Sequence, residues 1–347
     1  MKIEERWYDG KYYNKVRLVE VENNSEKPYW GIENGSLTIE SPSLSLLNAL
    51  TGRCGLSISK QVTLLEQDYG LDSYDKEIVA RIAASGLLTQ KQLADYLKLC
   101  GLLPAYWDPL IEYGIMQHRL NNLFSLAFIE KVVLSYSNGL PKHTAYRITK
   151  LGEELARRQG VHIHLGNRYR SQEERERTGV LDTPAEIMRV LAANNLAIQL
   201  LNETDDIRYL NFMTTPRLEG ATSMSGMIRC ALTAEKEDGS SYLFEVFRRP
   251  DIHDPLRKRY EGHMRFKVRS YFKLLRRKRF LEKNRQNLKT IPKLVIVAED
   301  SAHIDELENI LAPLIADLMV DERAEVIFIT DYGFDTGKIY HPEFFTE

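Results

Sequence analysis

The residues best suited to chemistry in this chain are cations. From Arg257 to Lys293 fifteen Lys and Arg stand against two acids, Glu261 and Glu282, in a chain whose formal net charge is only −2. The remainder is therefore acidic, at about −15. A solvated helix usually mixes signs to gain i,i+4 pairs. This run gives them up, and such asymmetry points to a polyanionic partner, nucleic acid before membrane. The competing reading is a solvated face whose Lys and Arg stems cover apolar surface. The candidate phosphate contacts are Arg257, Lys258, Arg265, Lys267, Arg269, Lys273, Arg276, Arg277, Lys278 and Arg279. At 100° per residue they cover more than one side of a helix, so only a subset can meet one partner.

Other reactive residue types are sparse. Glu245 is the lone acid within Tyr242–Arg248, and it can pair with Arg248 or with a cation of the basic run. His162 and His164 have the spacing of half a metal site but no third ligand nearby, and read as non-ligands. Cys54, Cys100 and Cys230 are scattered without a C-x-x-C pair, which indicates neither a disulfide framework nor a zinc site. The residues themselves call for no metal and no cofactor.

These side chains must be positioned by a chain of 347 residues, 43% hydrophobic and 28% charged, long enough for two domains with cores of their own. The start, Met1 to Arg6, lacks an apolar signal core, and the apolar run Ile310 to Val320 is broken by Asp317, so the expectation is a cytoplasmic protein without membrane contact. Residues 1–73 read as a small, mostly β region, with Lys15–Glu22 alternating and Tyr29–Glu40 turning at Asn34-Gly35 as a hairpin. A function for it is not legible.

Residues 74–160 hold three short helices, two strands and a closing helix. Ile78–Ser85 is the first helix, and Thr89 caps the second, Gln90–Leu99. The third is expected to end at Tyr113-Gly114, where Gly is the usual terminator, with Ile115-Met116 beginning a strand. Lys131–Tyr136 and Thr144–Ile148 form a hairpin. Residues 161–182 carry mixed charges and read as an exposed linker. Residues 183–347 open on the capping box Thr183-Pro184-Ala185-Glu186. Strands follow at Ile207–Met213, Met227–Glu235 and Tyr242–Arg248. The basic helix then shows an apolar stripe at Tyr260, Met264, Val268, Tyr271/Phe272 and Leu275. A strand Leu294–Ala298, a helix His303–Met319 and a strand Glu325–Thr330 complete an α/β core.

The segment Tyr146-Arg147-Ile148-Thr149-Lys150-Leu151-Gly152-Glu153-Glu154-Leu155-Ala156, with the element order before it, resembles bacterial winged helix-turn-helix domains. The resemblance implies a helix in the DNA major groove and a hairpin wing on phosphates, here through Lys142, His143 and Arg147. The third helix departs from the pattern, because Pro104 to Tyr113 has two acids and no Lys or Arg. Tyr106 and Trp107 read as core or interface residues, which keeps a protein-binding or structural winged helix in view.

The order of elements in 183–347 resembles the restriction-endonuclease-like PD-(D/E)XK fold. More narrowly, Phe244-Glu245-Val246-Phe247-Arg248 with Lys267-Val268-Arg269-Ser270-Tyr271-Phe272-Lys273-Leu274-Leu275 is similar to the replication-relaxation family of plasmids and conjugative elements of Gram-positive bacteria. The nuclease fold implies two carboxylates holding Mg²⁺, which activates a water, with a Lys beside the nucleophile. This chain departs at those positions: Arg229-Cys230-Ala231 stands where the family has Pro-Asp-Ala, and Arg248 falls one position late for the acid-x-Lys motif. Glu186 is a weak substitute explained by its cap, and Asp205 and Asp206 read as a turn. The expected architecture is thus α+β and α/β: a small β region, a winged helix-turn-helix and a nuclease-like domain without its catalytic set. The expected function is non-catalytic DNA binding in plasmid replication or relaxosome assembly, with DNA and other replication or relaxosome proteins as partners. A Mg²⁺-dependent nuclease using Glu245 and a protein-interaction scaffold are the alternatives. The sequence does not reveal the DNA site or the oligomeric state.

Overall fold

The computed structural model describes residues 2–8, 16–22, 35–42, 55–103, 109–136, 143–163, 167–171, 174, 184–203, 206–212, 230–248, 257–275, 292–318, 326–332 and 338–339. In chain order their elements are β1 (Lys2–Tyr8), β2 (Val16–Glu22), β3 (Gly35–Glu40), α1 (Ile58–Asp68), α2 (Ser73–Ser85), β4 (Leu88–Thr89), α3 (Gln90–Leu99), α4 (Pro109–Ser125), β5 (Ile129–Tyr136), β6 (His143–Ile148), α5 (Lys150–Arg158), α6 (Pro184–Glu203), β7 (Ile207–Phe212), β8 (Leu232–Lys236), β9 (Ser241–Val246), α7 (Arg257–Leu275), β10 (Lys293–Ala298), α8 (Ser301–Leu318), β11 (Val326–Tyr332) and β12 (Lys338–Ile339). The protein is mixed α+β. Its contacts divide it into two compact units, Asn34–Asn194, and Met1–Glu33 together with Asn195–Glu347. No described helix is long and apolar enough to cross a membrane.

In the unit Asn34–Asn194, helices pack on an antiparallel sheet ordered β3-β5-β6-β4. Helix α3 starts where Thr89 and Gln92 cap each other: Thr89 Oγ1 accepts from the Gln92 N–H at 3.2 Å, and Gln92 Oε1 accepts from the Thr89 N–H at 3.0 Å. It ends at Cys100, with Gly101 at φ 69° beyond it. Helix α5 is tied to the turn before β5, because the Thr149 N–H donates to the Phe128 carbonyl at 3.0 Å and its hydroxyl to the Ala127 carbonyl at 2.5 Å. Gly152 permits this approach, since a Cβ there would lie 2.2 Å from the Phe128 oxygen.

Two features of this unit correct the sequence reading. Helix α4 runs through Gly114 to Ser125, and Ile115 and Met116 lie inside it, not in a strand. Buried Met116, Leu120 and Leu123 hold the helix together, against which an internal glycine costs only about 1 kcal/mol. Strand β3 pairs with β5, from Gly35↔Tyr136 to Glu40↔Lys131. The other half of the hairpin expected over Tyr29–Glu40, residues 29–34, lies outside the described residues. Helix α1 also belongs to this unit and packs on α5. Within 161–182, Ile163 and Asn167 are buried, and Asn167 Nδ2 donates to the Ala84 carbonyl at 2.8 Å. That part is a docked segment, not an exposed linker.

The first half of α6 is anchored here by a buried polar node. Asn194 Nδ2 donates to the carbonyls of Leu87 at 2.8 Å and Val190 at 3.0 Å, while Gln92 Nε2 donates to the Leu191 carbonyl at 2.7 Å. Full satisfaction is what makes buried amides tolerable.

In the other unit β1 and β2 form an antiparallel ribbon, and a six-stranded sheet runs β12-β11-β10-β9-β8-β7. β7, β8 and β9 are an antiparallel meander, whereas β9, β10 and β11 are parallel. The parallel steps require crossovers, supplied by α7 and α8. Both step the same way along the sheet, so a shared right-handed connection puts both helices on one face, where they pack together. Phe244 and Val246 on one side of β9 and Leu243 on the other are all buried, the mark of a central strand.

Candidate functional site

Helix α7 carries the site. Its inner stripe is Met264, Val268 and Tyr271, each no more than 2% exposed, and the Tyr271 hydroxyl donates to the Pro292 carbonyl. Lys267 lies on this stripe, three residues after Met264 and four before Tyr271. Its ammonium turns inward and pairs with Glu245 of β9. Glu245 is 3% exposed, and the Lys267 side chain 12%. A desolvated carboxylate is tolerated only with such a partner. The i+3 position of Lys267 was the signal in the sequence that separated it from its cationic neighbours.

On the opposite side of α7, Gly262, Arg265, Phe266 and Arg269 are exposed. Of the ten cations proposed as phosphate contacts, Arg265 and Arg269 therefore face solvent and Lys267 faces the sheet. Arg257, Lys258 and Lys273 lie on α7, but their side chains are outside the described set, as are Arg276, Arg277, Lys278 and Arg279 altogether.

Cys230 sits just before β8, where the N–H of Ala231 donates to the Phe244 carbonyl at 3.0 Å. Burial pushes its thiol up to about 12, and the charge of Lys267 opposes that only in part. The cluster is thus a neutral thiol, a carboxylate and an ammonium. A second buried acid on the sheet, Glu235, lies opposite Ser241, four residues along β9 from Glu245. At about 3.4 Å per residue that is roughly 14 Å away. Asp206 lies 3.4 Å from Lys236, Asp205 is outside the described residues, and the Glu186 side chain on α6 likewise. Among the described residues no three His, Cys, Asp or Glu side chains converge as metal ligands.

In the hairpin β5–β6, Arg147 stands directly across from Glu130 and pairs with it. Ser41 adds a hydrogen bond to the other Glu130 oxygen at 2.6 Å. The Arg147 side chain, 13% exposed, is paired within the sheet. Cross-strand register, which the sequence did not supply, decides this. Lys142 lies outside the described residues, and His143 begins β6 with its side chain outside them.

Helix α4 has a cation that sequence reading passed over. Arg119 bonds Asp72 at 2.9 Å and Asp75 at 2.8 Å, and lies 4.5 Å from the Tyr74 ring centre. Burial raises the Asp72 carboxyl, but hydrogen bonds from the Asp75 N–H and Arg119 outweigh it and hold the group below the usual carboxylate range. Exposed on α4 are Tyr113, Ile115, His118, Asn121 and Asn122. Tyr106, Trp107 and His164 lie outside the described residues, and His162 is exposed. No protein family, curated protein or solved structure matches the chain.

Proposed function

We propose that this protein binds DNA without cutting it, as an accessory factor in plasmid replication or relaxosome assembly. The observation that carries the reading is the division of labour on α7: Lys267 is spent inside on Glu245, while Arg265 and Arg269 stand free of the sheet on the exposed face. Fold alone does not assign a role. Two aspects of the element order support the reading. Helix, short strand, two helices and a hairpin, with β4 paired to β6, is the order of a winged helix. A helix, an antiparallel meander and parallel crossover strands is the order of a nuclease-like core. The plasmid setting rests on the resemblance of Phe244–Arg248 and Lys267–Leu275 to the replication-relaxation family.

A nuclease-like core implies Mg²⁺, and the residues at the corresponding positions do not fit it. The Cys230 thiol stays protonated, Glu245 is paired with Lys267, and Glu235 is too distant to complete an oxygen ligand set. We read the ion pair as the structural successor of a metal site. Incubation of supercoiled plasmid with Mg²⁺ or Mn²⁺ should give no nicking; cleavage abolished by Glu245→Ala would establish the enzyme reading instead.

The test of the main reading is binding of a labelled duplex across a salt series, wild type against Arg265→Ala/Arg269→Ala. Each phosphate contact contributes about 0.9 to the slope of log affinity against log salt, so the double variant should lose up to about 2. Wild type that binds neither duplex nor single-stranded DNA at low salt would overturn the proposal. A protein partner would then come forward, supported by the exposed Tyr113 and Ile115 on α4 and by the locked Arg119 beside them.

A further inference from the structure

We propose that the exposed face of α7 is built for single-stranded nucleic acid, with a base stacked on Phe266 over the turn of Gly262 and the backbone phosphates on Arg265 and Arg269. The inference rests on the nucleic-acid reading above and narrows it to a substrate class. Its starting point is a residue that phosphate binding does not need. Phe266 is 56% exposed in a helix that buries Met264, Val268 and Tyr271 completely. A face that only neutralised the outside of a duplex would require cations and no aromatic ring, because paired and stacked bases offer no open π face to it. Single strands do, and their binding sites combine a cationic track with aromatic platforms.

The second observation is Gly262, one turn before Phe266 on the same face. Glycine is unfavourable in a helix interior, and here neither backbone nor packing asks for it. It has ordinary helical φ, and a Cβ built on it meets nothing within 4 Å. Long side chains on a helix lean back over the preceding turn. Phe266 therefore leans toward a position that has no side chain, leaving a flat, open floor beside the ring. Arg265 and Arg269 flank that floor, one residue before the ring and three after it, both exposed. Glu261, the one acid of α7, is only partly exposed. Cation, ring, gap and cation together match a nucleotide unit: charged backbone outside, planar base inside.

The experiment compares oligo-dT of about 20 nucleotides with a duplex of the same length by fluorescence anisotropy at low salt. Phe266→Ala should weaken oligo-dT binding on the order of 10-fold while changing duplex binding by no more than about twofold. Phe266→Trp should retain oligo-dT binding, and its added emission should be quenched on stacking. Gly262→Leu, which favours helix and fills the floor, should weaken oligo-dT binding with the helical signal intact. Arg265→Ala/Arg269→Ala should weaken both ligands. If Phe266→Ala leaves the ratio of oligo-dT to duplex affinity unchanged while the Arg variant still lowers the salt slope, this inference falls and DNA binding stands. If neither ligand binds wild type, both fall. Phe266-dependent capture on anionic phosphatidylserine vesicles, with no discrimination between oligo-dT and duplex, would also overturn it in favour of a lipid surface.

Discussion

Replacing Lys267 with Met tests whether the inner side of α7 is structural. The substitution keeps an unbranched apolar stem on the stripe between Met264 and Tyr271 but leaves Glu245, 3% exposed, without its cation. Breaking a buried pair from one side costs about 3–5 kcal/mol. The Lys267 side chain keeps 12% exposure, so some water reaches the site and the lower end, about 3 kcal/mol, is the expected loss. Glu245→Gln together with Lys267→Met removes both charges, and apolar or neutral replacement of a buried pair is often close to neutral. The double variant should therefore recover about 2 kcal/mol of the single variant's loss, non-additivity of the kind seen between residues in contact. Urea unfolding followed by circular dichroism measures all four members of the cycle. Equal losses in the single and double variants would mean that Glu245 was never desolvated, and the assignment of Lys267 to the sheet would fail. Duplex binding supplies an independent readout. Lys267→Met should leave the salt slope unchanged, whereas a drop of about 0.9 would put Lys267 on phosphate.

Three further outcomes follow from particular contacts. Gly152→Ala places a methyl 2.2 Å from the Phe128 carbonyl, which is backbone and already holds Thr149, so thermal melting should show a loss of more than about 3 kcal/mol. The Asp72 carboxyl is held below its ordinary value in the folded state, so its contribution is present above that ordinary value and is lost as pH falls through the lower folded one; Asp72→Asn should flatten this acid limb of the stability profile by less than about 1 kcal/mol, since the group is half exposed. Thiol alkylation at pH 8 followed by mass mapping should modify exposed Cys100 in the native protein and spare Cys230, whose thiol is buried and raised to about 12, until denaturant is added.

Much of the architecture was legible because its determinants are local. Thr89 and Gln92 announce α3 within four residues, and the spacing of Met264, Val268 and Tyr271 gives the inner side of α7 directly. What the sequence withheld depends on partners far away in the chain. The alternation around Thr38 announces a strand, but its pairing of β3 with β5 is one no short window contains. Gly114 looks like a helix end until Met116, Leu120 and Leu123 are seen to be buried beyond it. In the candidate site the same division holds. Composition located the cations, but the partner the fold gives Arg147, Glu130, follows from strand register, and the one it gives Lys267, Glu245, from which side of the helix faces β9.

The β3–β5 pairing also sets a clock on synthesis. Thr38 is matched with Val133, ninety-five residues later. At translation rates of about 5–20 residues per second, β3 has left the ribosome roughly 5–20 s before the strand that accepts its backbone hydrogen bonds exists. During that interval the alternating segment Ser36-Leu37-Thr38-Ile39 lacks its β5 partner, and an edge without its partner is open to capture by a chaperone or by a neighbouring nascent chain. Strand β3, at the edge of the described sheet β3-β5-β6-β4, therefore depends for its pairing on a segment made long after it.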